Sequence, residues 1–201
     1  LSLSVKDILK KIDNNKVEEK LKKLKDSKAP GADGIHPLIL KTCAESIAKP
    51  LKIIFEKSLK EGKLPEWWKR ANVTPIFKKG CRSDRKNYRP VSLTSIICKI
   101  LESFVRDGIM DYMVASGLLS KYQHGFVPRK SCVTNLLETL DYLTNELSKG
   151  NDVDEILLDL SKAFDLVPHN RLIYKIKEGF GFSEDLTNWI KEFLVCRKQR
   201  V

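Results

Sequence analysis

The sequence predicts a helix-rich α+β fold, and three observations lead to this class. Apolar residues recur at helical spacing over most of the chain, a basic segment separates two short strand-like runs, and the apolar run at residues 156–158 has the pattern of a buried strand. The chain has 201 residues, of which 42% are hydrophobic and 31% are charged. This composition excludes extended disorder and is sufficient to bury the core of one or two domains.

Helices are predicted at the start of the chain. Residues 4–26 have the pattern of two short amphipathic helices, and the glycines and proline of residues 28–34 predict a turn. Residues 37–60 return to helical spacing. We expect Pro50 either to kink this helix or to begin a second one, because proline lacks the N–H that a helix interior requires.

A β-hairpin with a basic tip is predicted next. Residues 72–77 and 88–93 have strand composition, and the charged residues 78–86 connect them. The chain has a net charge of +11, and residues 60–89 alone hold ten Lys or Arg against three acids. Segregated positive charge attracts polyanions, whereas evenly mixed charge mainly supplies solubility. The patch therefore predicts binding of nucleic acid or of a triphosphate.

The second half of the chain predicts further helices and strands. Residues 94–116 have the pattern of a long helix, and Ser131 is expected to cap a helix that runs to Leu147. The apolar run at residues 156–158 is expected to be a buried strand that ends at Asp159. The remaining predicted elements are helices near residues 170–178 and 183–195 and a strand that opens in residues 196–201.

Asp159 is the leading candidate for a catalytic side chain, because the end of a buried strand can hold a functional group rigidly. Hard cations such as Mg²⁺ take oxygen ligands, and the Asp159 carboxylate and the Leu160 backbone carbonyl form a natural pair for one. For an isolated aspartate at a strand end, however, capping of the next helix is the more common role. The residues that follow Asp159 favour the catalytic interpretation.

Those residues carry a family resemblance. The motif Asp159-Leu-Ser-Lys-Ala-Phe164-Asp165-Leu-Val-Pro-His169 resembles the first catalytic motif of reverse transcriptases, in the form found in non-LTR (LINE-type, jockey- or CR1-like) retrotransposons. Three earlier blocks are similar to other segments of that family. They are Lys28-Ala-Pro-Gly-Ala-Asp-Gly-Ile35, Trp68-Lys69 through Pro75-Ile-Phe-Lys-Lys-Gly80 with Asn87-Tyr-Arg-Pro-Val-Ser-Leu93, and Tyr122-Gln-His-Gly-Phe126 with Arg129-Lys-Ser131. Four blocks in order are a specific signal, although each alone is weak.

The resemblance implies an RNA-directed DNA polymerase with a right-hand fold. It implies an N-terminal helical extension in residues 1–27, fingers in residues 28–150 and the first part of the palm in residues 151–201. The family supplies further carboxylates in an x-Asp-Asp hairpin, and no Asp-Asp dipeptide occurs in this chain. We therefore expect a piece truncated before the remaining palm and the thumb, and inactive alone.

The resemblance also implies roles for individual residues. Lys78 and Arg89 are expected to contact the incoming triphosphate, Asp159 with Leu160 to hold Mg²⁺ or Mn²⁺, and Phe164 to pack under the deoxyribose where a 2′-hydroxyl would clash. General binding of the nucleic-acid backbone, or simple exposure, is expected of Lys79, Arg82, Arg85 and Lys86. Contact with template or nucleotide and the start of a helix are equally good interpretations of Gln123, Gly125 and Phe126.

Partners and location follow as expectations. The resemblance implies an RNA template, a DNA primer and dNTPs, with room for an attached endonuclease domain. No apolar run approaches membrane-spanning length, and the five widely spaced cysteines favour a reduced, intracellular (nuclear or cytoplasmic) protein, so no membrane is expected. Trp67 and Trp68 could stack on bases, although core packing is the more frequent use of tryptophan. Two alternatives remain: an RNA-binding remnant without catalysis and a reverse transcriptase of the mobile-intron maturase type.

Overall fold

Helices and one small sheet form the secondary structure of residues 2–160, 163–164 and 166–201, which are the residues that this computed structural model describes. The chain divides into two compact units. The first contains Leu1–Tyr112 and Pro168–Val201, and the second contains Met113–Val167. The α+β class is confirmed. The predicted functional segments, residues 1–27, 28–150 and 151–201, have other boundaries than these two units and stay a prediction.

The elements lie close to their predicted positions. The helices are α1 (Val5–Leu9), α2 (Asn14–Lys22), α3 (Pro37–Thr42), α4 (Ala44–Glu61), α5 (Ile96–Ala115), α6 (Cys132–Ser148), α7 (His169–Tyr174) and α8 (Glu184–Leu194). The strands are β1 (Arg70–Phe77), β2 (Tyr88–Thr94) and β3 (Lys198–Arg200). Single 3₁₀ turns form at Glu66–Lys69 and Arg85–Asn87, and one π turn, Lys175–Gly179, continues α7. Among the described residues, no helix has the length and apolar character to cross a membrane.

Of the two alternatives for Pro50, the start of a second helix is wrong, and a kink stays a prediction. The helical segment breaks at Cys43 between α3 and α4, and Pro50 lies inside α4. Pro37 begins α3, where the missing N–H of proline has no cost, and the His36 ring nitrogen accepts the Leu38 amide at 3.2 Å. Since α4 places an apolar face in the core, tertiary packing outweighs the local preference of one proline.

The core of the first unit lies between its helices. Fully buried side chains come from α1, α2, α4, α5 and α8; they include Ile8, Val17, Leu21, Phe55, Leu101 and Leu186. The Phe55 ring contacts Trp68 and Phe104, at centroid distances of 6.0 and 6.4 Å. The buried Lys69 ammonium pairs with the Glu192 carboxylate at 2.5 Å and so joins the turn before β1 to α8.

The sheet of the first unit has the strand order β2-β1-β3. Strands β1 and β2 pair antiparallel, with Ala71 opposite Thr94, and β3 pairs parallel to β1 through Arg70 and Lys198. Gly31 packs against the end of β2, because a Cβ at this position would lie 2.5 Å from the Thr94 carbonyl oxygen. This close approach explains why the predicted turn contains a glycine there, and it fixes the turn beside the sheet.

The first turn of α1 is closed by a capping box between Ser4 and Asp7. The Asp7 carboxylate accepts hydrogen bonds from Lys10 Nζ at 2.9 Å, from Ser4 Oγ at 2.7 Å and from the Ser4 amide at 3.1 Å. These donors, with Lys10 contributing most, lower the pKa of Asp7 to about 2.

Asp7→Asn is expected to lower the free energy of unfolding at pH 7 by about 1 kcal/mol. Linkage alone gives roughly 2.4 kcal/mol for such a pKa shift, but the Asp7 side chain is 39% exposed and solvent screens the interaction. Because the folded-state pKa lies below the ordinary value of 3.8, the stabilisation is complete above that value and is lost as the pH falls towards 2. Denaturant unfolding of the unmodified chain and of Asp7→Asn at pH 7 and at pH 2 measures this stabilisation. If the two proteins differ in free energy of unfolding by the same amount at both pH values, the ionised Asp7 is not its source.

Candidate nucleic-acid interface

The predicted hairpin forms, and its arms carry the two candidate triphosphate ligands. Strands β1 and β2 pair in a register that places Ile76 opposite Arg89. The pairing extends past the end of β1, since the Lys78 amide donates to the Asn87 carbonyl at 2.8 Å. Lys78 is two residues beyond Ile76, so the alternation of a strand places Lys78 and Arg89 on the same face as diagonal neighbours.

The other basic candidates lie at the tip of this hairpin. Lys79, Arg82, Arg85 and Lys86 are exposed, as are Lys78 and Arg89. Within the described part of the chain, none of these six side chains forms an ion pair. Their positive charge is therefore not neutralised by neighbouring carboxylates and is available to an anionic ligand.

Internal contacts hold the tip in one conformation. The Tyr88 hydroxyl donates to the Arg82 carbonyl at 2.8 Å, and the Arg82 guanidinium lies 5.0 Å from the centre of the Phe77 ring. The Asn87 side chain donates to the Cys81 carbonyl at 2.9 Å. A hydrogen bond with Ser83 Oγ, 3.0 Å from Cys81 Sγ, lowers the pKa of the Cys81 thiol. These contacts fix the backbone from which the cations project.

The second unit contains the candidate loop at residues 122–126. His124 is buried, and its ring nitrogens lie 2.9 Å from Thr134 Oγ1 and 2.9 Å from Glu138 Oε2, so the loop is tied to the first turns of α6. Gln123 and Gly125 are exposed. Phe126 is 85% exposed and has a positive φ of 60°, which is uncommon for a residue other than glycine. Sequence reasoning found no role for His124, which here fixes the loop.

Asp159 lies in a segment without regular secondary structure, so the predicted strand before it was wrong. Ile156, Leu157 and Leu158 are 82%, 84% and 91% exposed, and Asp159 and Leu160 are exposed as well. An apolar run becomes a buried strand only when a neighbouring strand and a covering layer are available, and the described residues supply neither to this segment. The motif residues Ser161, Lys162 and Asp165 lie outside the described part of the chain.

The structure brings together two aromatic candidates. The Phe164 ring packs edge-to-face on the Phe126 ring, with centroids 6.0 Å apart. Both rings remain at least 80% exposed. Such pairs are favourable beyond simple burial, and two exposed rings in contact form an apolar surface on which a sugar or base could rest.

The oxygen donors near Asp159 fit a hard cation only in part. The Asp159 carboxylate and the Leu160 carbonyl are the donor types that Mg²⁺ prefers. Across the described residues, no group of three or more His, Cys, Asp or Glu side chains is arranged to hold a metal ion. The described donors are thus fewer than a two-metal site requires.

Comparison with known proteins agrees with the sequence motifs. The profile of the family described as "Reverse transcriptase (RNA-dependent DNA polymerase)" matches residues 76–201. The RNA-directed DNA polymerase from mobile element jockey of Drosophila funebris is 30% identical over 90% of this chain and 20% of its own length. An RNA-directed DNA polymerase attributed to transposon BS of Drosophila melanogaster is 28% identical over 86% of this chain and 19% of its own length.

A third relative bears on the intron-type alternative. A protein attributed to COX1/OXI3 intron 2 of Saccharomyces cerevisiae is 32% identical, over 45% of this chain and 10% of its own length. The two transposon relatives match about twice as much of the chain, which itself spans about a fifth of their length. The family profile covers the hairpin from Ile76, the loop at residues 122–126 and the Asp159 motif. The chain therefore belongs to the reverse transcriptase family.

Proposed function

We propose that this chain is the nucleotide- and template-binding part of an RNA-directed DNA polymerase from a non-LTR retrotransposon. The observation that carries the proposal is the hairpin inside the family-matched region, where Lys78 and Arg89 project from one face and, among the described residues, pair with no carboxylate. In this proposal residues 28–150 act as the fingers of a right-hand polymerase, and residues 151–201 as the first part of its palm.

The hairpin binds the triphosphate of an incoming dNTP. The planar guanidinium of Arg89 can donate two parallel hydrogen bonds to phosphate oxygens, and the Lys78 ammonium adds a compact positive charge beside it. Holding the triphosphate in line with a primer 3′-hydroxyl is most of what a polymerase must do, because phosphoryl transfer depends chiefly on positioning and charge neutralisation. The tip cations Lys79, Arg82, Arg85 and Lys86 bind the backbone of template or primer.

Asp159 and the Leu160 carbonyl contribute ligands for Mg²⁺, with Mn²⁺ as a substitute. A pair of such ions in a polymerase activates the attacking hydroxyl and stabilises the leaving pyrophosphate. Asp159 supplies its carboxylate from an exposed segment. Phe164 contacts the deoxyribose and excludes a 2′-hydroxyl, and the Phe126 ring contacts the Phe164 ring edge-to-face.

The full gene product covers surfaces that are bare in this chain. Helix α6 has no buried residue, and its apolar side chains Val133, Leu136, Leu137 and Leu140 are 57–65% exposed. The apolar run before Asp159 is exposed as well. Since the transposon relatives are about five times as long, we propose that further palm strands pair with this run and pack on α6. We also propose that the full protein is intracellular and that it can carry an attached endonuclease domain.

A second candidate function is RNA binding without catalysis. It is favoured by the fact that the unpaired cations of the hairpin need no carboxylate to bind a nucleic-acid backbone, whereas Asp159 has too few neighbouring donors among the described residues. A maturase-type enzyme is less favoured, because the relative attributed to an intron matches only 45% of the chain.

Primer extension with hairpin variants distinguishes these functions. In the full product of the gene, Lys78→Ala and Arg89→Ala are each expected to raise the KM for dNTPs by about tenfold or more, since a hydrogen bond to a charged group contributes about 1.5–3 kcal/mol. Lys49→Ala, which removes an exposed cation from α4, is the matched control and should leave KM unchanged. If neither hairpin variant changes KM, the assignment of the triphosphate site is wrong.

A further inference from the structure

A cleft beside the hairpin base lies outside every site described so far. It has a volume of about 410 Å³ and lies where β3 joins β1 in the first unit. Its lining comes from the turn at Ala32, from Trp67, from the start of β1 at Arg70, Ala71 and Asn72, and from Lys198, Gln199 and Arg200 of β3. The size suits a ligand as large as one nucleotide.

Trp67 supplies an exposed aromatic surface in this cleft. It is 56% exposed, whereas its neighbour Trp68 is 6% exposed and packs on Phe55 in the core. The Arg70 guanidinium lies 4.4 Å from the centre of the Trp67 ring and holds the ring in place. An exposed tryptophan held by an arginine is a preformed platform for stacking, because the ring has little conformational freedom left to lose.

The rest of the cleft is basic. Arg70, Lys198 and Arg200 are exposed, and within the described residues none of them forms an ion pair. Arg200 Nε donates to Asn72 Oδ1 at 2.9 Å, which orients the guanidinium across the β1–β3 pair. The acids next in sequence to the lining are Asp33 and Glu66, and the Asp33 carboxylate accepts the Ile35 amide at 3.2 Å. The cleft thus presents three cations around one aromatic ring.

The walls of the cleft are fixed by the fold. Gly31, the residue before Ala32, packs so closely on the Thr94–Ser95 backbone that no side chain fits there. On the other side, the parallel pairing of β1 and β3 holds Lys198 beside Arg70 and Arg200 beside Asn72. A pocket built on strands and a packed turn keeps its shape before a ligand arrives.

We propose that this cleft binds one nucleotide of a single-stranded nucleic acid, with its base stacked on Trp67 and its phosphate held by Lys198 and Arg200. The proposal rests on the proposed function and adds to it a contact point for the single strand that is separate from the triphosphate site of the hairpin. Stacking is tolerant of base identity, so the subsite binds single strands without sequence preference.

Fluorescence titration of the 201-residue chain with dT10 and rU10 tests the proposal. Trp68 and Trp189 are buried, so quenching by an oligonucleotide reports on Trp67. Trp67→Ala is expected to abolish quenching and to weaken binding by about 5- to 100-fold, measured by anisotropy of a labelled oligonucleotide. Trp67→Phe keeps a stacking ring and should retain most of the affinity. Tyr142→Ala removes an exposed ring from α6 and should change nothing.

Two further measurements separate stacking from simple charge attraction. Inorganic polyphosphate carries the charge without bases, so Trp67→Ala should leave its binding unchanged. Lys198→Ala with Arg200→Ala should reduce the slope of log affinity against log salt for dT10 by about 1.4. If Trp67→Ala binds dT10 like the unmodified chain, or weakens polyphosphate binding equally, the subsite is overturned.

The outcomes also separate this proposal from the proposed function. If Trp67→Ala binds dT10 normally while the hairpin variants have raised KM values, nucleotide binding by the cleft is wrong and the proposed function stands. If Trp67→Ala loses dT10 binding but the full gene product shows no primer extension, nucleotide binding by the cleft is supported and the polymerase function is contradicted. Capture of a phosphopeptide but not of dT10 or rU10 would also overturn the nucleotide assignment.

Discussion

Asp159→Ala in the full product of the gene is expected to lower the rate of RNA-templated primer extension by about 10³-fold or more. Loss of a carboxylate that holds a catalytic cation removes several kcal/mol of transition-state stabilisation, and each 1.36 kcal/mol corresponds to a factor of ten in rate. Binding of the RNA–primer duplex should change little, because the basic hairpin, and not Asp159, carries the electrostatic attraction. Single-turnover extension and filter binding measure the two effects separately.

Asp154→Ala is the matched control for this variant. Asp154 lies in the same irregular segment and is exposed, so its removal changes the local charge equally without touching the motif. Extension by this control should stay within about twofold of the unmodified enzyme, as expected for a surface change. Comparable losses in both variants would show that the segment acts through its overall charge and that Asp159 has no special role.

Phe164→Val is expected to weaken the preference for dNTPs over ribonucleotides by about tenfold or more. The ring is proposed to occupy the space that a 2′-hydroxyl needs, and apolar pockets discriminate groups of this size by about 1–3 kcal/mol. The rate with dNTPs should fall less than the selectivity, because valine still provides an apolar contact. Steady-state incorporation of dTTP and UTP opposite one template adenine gives the ratio of kcat/KM values.

Phe164→Tyr is the control for the proposed exclusion of ribonucleotides by the Phe164 ring. It preserves the ring and its edge contact with Phe126, so selectivity should remain near that of the unmodified enzyme. If Phe164→Val keeps the same preference for dNTPs over ribonucleotides, Phe164 does not exclude the 2′-hydroxyl, even if the variant is less active overall.

Local signals made the hairpin and α6 predictable. Strands expected at residues 72–77 and 88–93 form at Arg70–Phe77 and Tyr88–Thr94, because alternation and turn residues act over a few positions. Ser131 caps α6 as expected, with its hydroxyl accepting the Thr134 amide at 3.2 Å. Candidate site residues on the hairpin were therefore placed on the correct arms.

Non-local contacts explain what sequence reasoning missed. The run before Asp159 has the composition of a buried strand, but burial depends on partners elsewhere, and the described residues provide none. The pairing of β3 with β1 joins residues more than 120 positions apart, so the cleft at Trp67 could not be found from spacing. Adjacent tryptophans also diverge, since a 3₁₀ turn rotates successive side chains by about 120° and sends Trp68 inwards and Trp67 outwards.

The decisive measurement is RNA-templated primer extension by the full product of the gene and by the 201-residue chain. We expect dNTP-dependent extension with Mg²⁺ by the full product and no extension by the 201-residue chain, which should still bind the template. Extension by the 201-residue chain alone would contradict the claim that Asp159 needs further carboxylates. Template binding without extension by the full product would contradict the polymerase assignment and favour an RNA-binding protein.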